Sequence, residues 1–82
     1  MTDCTLIGIL DDGWAGLSDA ARDRLHAAGV IIGAGRTLDL VRPHLSDSTE
    51  LRDMDGALAR IPEWIAAARA QGRPAAVLAT GD

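Results

Sequence analysis

The sequence predicts an α/β protein, an open and mostly parallel sheet with flanking helices in the order βαβαβαβ. Three observations carry that expectation. Apolar runs at residues 4–10, 30–32, 49–54 and 75–80 alternate with stretches of helical spacing. Three of these runs are unbroken, the habit of strands covered on both faces in parallel sheets. Each run also ends in glycine or aspartate, the punctuation expected where a strand turns into a helix.

Taken in order, Cys4-Thr5-Leu6-Ile7-Gly8-Ile9-Leu10 reads as a first strand buried on both faces and closed by Asp11-Asp12-Gly13. Ser18 is placed to cap a helix with Asp19 in its first turn. Ala21, Leu25 and Ala28 share one face of that helix, and Gly29 is its stop. Val30-Ile31-Ile32 forms the second strand and Gly33-Ala34-Gly35 the turn after it. Leu38, Val41 and Leu45 mark a short helix that must end near Pro43. Residues 49–54 are the weakest strand, because Leu51 and Met54 do not share a strand face. Asp55-Gly56 then turns into a helix whose body runs from Pro62, in its first turn, to Gln71, with Gly72 as terminator. The run 75–80 is the fourth strand.

At 82 residues the chain holds at most one small domain. Fifteen of its hydrophobic residues are alanine, so material for a core is thin, and the chain is expected to be marginal alone or part of something larger. Its last strand lacks a crossover partner, so weak stability or self-association into a homo-oligomer is expected. The sequence ends at Gly81-Asp82 directly after a strand, so residues 1–82 read as a single, incomplete domain. Formal charge is −4 and the eight arginines are dispersed, which argues against a nucleic-acid binder. One cysteine excludes an internal disulfide, and no Cys/His set has zinc spacing. No segment has the length or flanks of a signal peptide or membrane span, so a cytoplasmic protein without membrane contact is the default expectation.

Three segments could carry chemistry. Gly33-Ala34-Gly35 after a strand suggests a dinucleotide turn, with Glu50 or Asp53 at the distance of a ribose-binding acid. Leu38, however, stands where the fingerprint needs a third small residue. The second segment is Gly8 with the Asp11-Asp12-Gly13-Trp14 loop. It is either a solvated turn or bared backbone that approaches a ligand, and its two acids would repel a pyrophosphate. Trp14 is either a cap over a small core or a surface for a flat ligand or a second domain. The third is Gly81-Asp82, whose carboxylate at a strand exit suits a hydroxyl, amine or sulfonium ligand. Among single residues, His26 suits the C-terminal dipole of its helix. His44 reads as an exposed loop residue, Cys4 as a small buried hydrophobe and Trp64 as packing. No catalytic side-chain constellation is visible.

Read together, these segments resemble one family. Leu6-Ile7-Gly8-Ile9 with Asp12-Gly13-Trp14-Ala15-Gly16-Leu17-Ser18 resembles the start of the S-adenosylmethionine-dependent tetrapyrrole methylases. Residues 30–38 are similar to that family's second strand and its Gly-x-x-Arg-x-Leu continuation, and residues 77–82 to the strand leading into its Gly-Asp-Pro loop. The spelling points to the branch that methylates C5 of a corrin precursor (a precorrin) in cobalamin synthesis. The resemblance implies two α/β domains with S-adenosyl-L-methionine between them, this chain being part of the first and the second domain its missing partner. It also implies that Gly81 and Asp82 begin the donor-binding loop. Gly8, Asp11, Asp12, Gly13 and Trp14 would face the tetrapyrrole substrate. One departure is Leu10, which stands where the family has the second glycine of a Gly-x-Gly. The competing expectation is a small dinucleotide-binding or interaction module without catalysis.

Overall fold

The computed structural model describes residues 4–10 and 12–80. Strands β1 (Cys4–Ile9), β2 (Val30–Gly33), β3 (Glu50–Asp53) and β4 (Ala75–Thr80) form one all-parallel sheet in the order β1-β4-β2-β3. Helices α1 (Asp19–Ala27), α2 (Gly35–Val41) and α3 (Ile61–Ala70) connect them, with short 3-10 turns at Gly13–Gly16, Arg42–His44 and Leu58–Arg60. The expected α/β alternation is therefore present, including the weak third strand. Leu51 packs into one hydrophobic cluster and Met54 into the other, so their failure to share a face is what a strand between two helix layers requires.

Two crossovers carry the chain across the sheet in one direction, from β1 past the place of β4 to β2 and then to β3. The third returns it to β4 in the middle. Crossovers of one hand put helices of opposite travel on opposite faces. The packing follows that rule. Ile7, Ile9, Ile31 and Leu78 pack with Leu25 of α1 and with Leu38 and Val41 of α2. Val30, Ile32 and Ala75 on the other face pack with Ala68 of α3, with Trp64 and Ile65 beside them.

Local chemistry explains the helix ends. The Ser18 hydroxyl accepts the Ala21 N–H at 3.1 Å, capping α1. α3 begins at Ile61, one residue before expectation, with Pro62 in the first turn, where its missing N–H costs nothing. Gly72 ends that helix at φ +68, the left-handed conformation a side chain resists.

Gly29 departs from its expected role. It does not adopt a left-handed φ, and Ala28 leaves α1 in an extended conformation instead. Gly29 leaves room for Arg73, since a Cβ there would fall 2.6 Å from Arg73 Nε. Arg73 donates to the Gly29 carbonyl and, at 3.2 Å, to Glu50 Oε1, so one guanidinium ties together the starts of β4, β2 and β3.

The expectation that β1 is buried on both faces is corrected. Ile7 and Ile9 are buried, whereas Leu6 is 72% exposed and Gly8 is open. β1 is an edge strand, and α3 covers β2 and β4 without reaching it. Cys4 is half-buried rather than buried, for the same reason.

Candidate functional site: the C-terminal rim of the sheet

In an open parallel sheet, ligands sit beyond the C-terminal ends of the strands, where neighbouring strands send their connections to opposite faces. Among the described connections that place lies between β2 and β3, because β2 exits to α2 and β3 exits to α3. The residues there are Gly33-Ala34-Gly35-Arg36 and Asp53-Met54-Asp55-Gly56. Parallel pairing sets Gly33 beside Asp53, and the Met54 N–H donates to the Gly33 carbonyl at 3.0 Å.

The two glycines have different causes. Gly33 is buried, and a Cβ there would lie 3.2 Å from Leu78 Cβ and 3.5 Å from Leu38 Cδ2. It permits close packing, and Leu38 fills the space that a dinucleotide fingerprint would reserve for a small residue. At Gly35 a Cβ would meet Asp53 Oδ2 at 2.8 Å. The Gly35 N–H donates to Asp55 Oδ2 at 3.1 Å, and the Asp55 N–H donates to Asp53 Oδ1 at 2.8 Å. A carboxylate therefore occupies the amide that a dinucleotide pyrophosphate would need, and a second stands beside it. This turn is built against phosphate. Of the two acids weighed as ribose partners, Asp53 is at the rim, while Glu50 lies at the opposite end of β3 with Arg73 and Arg52.

Arg36 was not singled out by the sequence as a binding residue, although it stands within the Gly-x-x-Arg motif. It is exposed in the first turn of α2 and has no ion-pair partner among the described residues. A cation at the positive end of a helix is electrostatically unfavourable. It follows Gly35, whose amide is held by Asp55, so this turn carries an exposed cation as well as acids.

The remaining candidates separate. Ile9 pairs with Thr80, so the exits of β1 and β4 are neighbours. Gly81, Asp82 and Asp11 lie outside the described residues. Asp12 is exposed, and its carboxylate sits over Gly16, where a Cβ would collide with it. Gly13 is buried at φ +59 and packs against Leu40 of α2. Gly8 is exposed in mid-strand with no atom within 4 Å of an added Cβ.

Trp14 leaves the rim. Its ring stacks on His44 at 4.7 Å and 6° and meets His26 at 5.1 Å. The Arg22 guanidinium stands 5.9 Å from the ring and donates to the Trp14 carbonyl. His26 and His44 lie near the C-terminal ends of α1 and α2, away from the strand exits. Since Trp14 also packs against the larger core cluster, these contacts are those of a cap on the core. His44 is exposed as expected, yet its stacking partner was not visible in the sequence.

Among the described residues no group of His, Cys, Asp and Glu could hold a metal ion, and no helix is long and apolar enough to cross a membrane. No family model matches the chain, and no curated protein matches it.

Proposed function

We propose that this chain is the N-terminal portion of an S-adenosylmethionine-dependent C-methyltransferase, similar to precorrin-6Y C5,15-methyltransferase, acting at C5 of a corrin precursor in cobalamin synthesis. The observation that supports this reading best is the chemistry of the rim. Asp53 and Asp55 occupy the turn where a nucleotide phosphate would bind, and the exposed Arg36 follows Gly35 in that same turn. Carboxylates favour a cationic sulfonium over a phosphate, and a lone arginine suits a carboxylate of the tetrapyrrole periphery. The pairing of Ile9 with Thr80 also brings the Asp12 loop next to the strand that leads to Gly81 and Asp82, the segments whose spelling resembles the family.

Bound at such a rim, S-adenosyl-L-methionine would supply an electrophilic methyl group to a nucleophilic ring carbon and leave as the thioether S-adenosylhomocysteine. The chain's own part is to position and to exclude water rather than to move a proton. In keeping with that, neither histidine lies among the rim residues, and Cys4 lies at the opposite end of β1. The rim carboxylates offer charge and hydrogen-bond acceptors. Arg36 is assigned to orient the substrate through a charge-assisted hydrogen bond.

Calorimetric titration with a metal-free corrin precursor, and separately with S-adenosyl-L-methionine and with NADH, tests this. The corrin precursor is expected to bind, and Arg36→Ala to weaken it about tenfold, the value of one charge-assisted contact. Binding of NADH with no response to the corrin precursor would overturn the reading. The alternative of an interaction module has one observation in its favour, the exposed Leu6 on β1.

A further inference from the structure

We propose that the link between Asp55 and Gly56 is a modification site, at which the chain spontaneously converts Asp55 to isoaspartate and so alters the rim. The reaction is independent of the methyltransferase reading.

It needs only the chain and water. The Gly56 nitrogen attacks Asp55 Cγ, and the new C–N bond closes a five-membered succinimide. The carboxyl hydroxyl leaves as water with the amide hydrogen. Water then adds to the former Asp55 backbone carbonyl, and the bond from that carbon to the Gly56 nitrogen breaks. The chain now runs through Asp55 Cβ and Cγ, and the old backbone carbonyl carbon becomes the free carboxylate. One water is lost and one is taken up, so the mass is unchanged and no co-reactant is required.

The attack favours an aspartate followed by a residue with little or no side chain, whose amide nitrogen is exposed and unheld. The chain has no asparagine and two Asp-Gly pairs, Asp12-Gly13 and Asp55-Gly56, with Asp47-Ser48 the next least hindered. The fold separates them. Gly13 is buried against Leu40, and its N–H donates to the Leu10 carbonyl at 2.9 Å. The Ser48 N–H is likewise held, donating to Ser46 Oγ at 3.1 Å. Asp55 and Gly56 are both exposed, and the Gly56 N–H makes no hydrogen bond among the described residues. No heavy atom lies within 4 Å of a Cβ added to Gly56, so its nitrogen is open to approach.

What restrains Asp55 is small. Its Oδ2 accepts the Gly35 N–H at 3.1 Å, and its turn is closed by the Ala57 N–H on the Met54 carbonyl at 2.9 Å. Exposed contacts of this kind open locally without disturbing a core, whereas freeing the Gly13 nitrogen means unpacking a buried turn. The product lengthens the backbone between β3 and α3 by one methylene and sets the carboxylate directly on Cα. The contact that holds the Gly35 amide is thereby lost.

Incubation of the folded chain in mildly acidic buffer, followed by digestion and electron-transfer mass spectrometry, tests the proposal. Isoaspartate is expected to accumulate at Asp55, while Asp12 and Asp47 stay as aspartate. In denaturant Asp12 is expected to react as well. Asp55→Asn and Asp12→Asn give a faster version of the same comparison, because ammonia then leaves in place of water and the mass changes. In the folded chain, the first variant is expected to lose its amide and the second to keep it. No isoaspartate at Asp55 would overturn the proposal. So would equal or greater reaction at residue 12 in the folded chain, or an Asp12 that stays inert in denaturant.

Discussion

Gly13, Gly33 and Gly35 are one residue type used for three physical reasons, and each reason predicts a different response to alanine. At Gly13 the backbone itself resists, because φ is +59 and a Cβ would stand 3.4 Å from Leu40 Cβ. Gly13→Ala is expected to cost about 1–2 kcal/mol in chemical denaturation. At Gly33 the neighbours resist, since Leu78 and Leu38 pack directly over the site. Gly33→Ala is expected to cost about 1–3 kcal/mol by overpacking. At Gly35 the obstacle is the exposed end of the Asp53 side chain, which can swing aside. Gly35→Ala is expected to cost less than about 1 kcal/mol. Equal losses at Gly33 and Gly35 would contradict the distinction. The sequence makes all three glycines legible as turn residues but not these causes, because Leu78 and Leu40 reach them only through the folded chain. The same holds for Trp14 and His44, thirty positions apart and in contact only because the loop after β1 lies against the ends of α1 and α2.

Among the elements, α1 was the most legible, because its signals are local. Ser18 caps it, Asp19 follows, and Leu25 falls on the buried face. Removing the cap by Ser18→Ala is expected to lower stability by about 1 kcal/mol, read from the denaturant midpoint. β1 is the element whose surroundings its own sequence encodes least. An unbroken apolar run fits a strand covered on both faces, but coverage depends on sheet order, and no local pattern encodes that β4 inserts between β1 and β2. Arg73 shows the same limit. Its position after α3 is plain in the sequence, but its partners Gly29 and Glu50 belong to other strands. Arg73→Ala removes the hydrogen bond to the Gly29 carbonyl and the half-exposed ion pair to Glu50. It is expected to cost about 1–2 kcal/mol, mostly from the first of these, and an unchanged denaturant midpoint would sink that account.

For the whole molecule, the core is small and alanine-rich, so single large side chains matter. Leu25 is fully buried between α1 and the sheet. Leu25→Ala is expected to cost about 2–5 kcal/mol, a large part of the stability of so small a domain. At this scale the sequence identifies the α/β class and the alternation, and it locates the strand exits at which a ligand would sit. It does not reveal which two exits diverge. That depends on β3 lying beside β2 while α3 returns across the opposite face, which brings Asp53, Asp55 and the turn that carries Arg36 to one rim. The central claim is that this acidic rim, with the exposed Arg36 in its turn, is the ligand-binding surface. The most direct test is backbone amide chemical-shift mapping of the chain during titration with a metal-free corrin precursor. The account predicts saturable shifts concentrated at Gly33–Arg36, Asp53–Gly56 and Asp12. Shifts confined to α3 or the β1 edge, or none at saturating ligand, would contradict it.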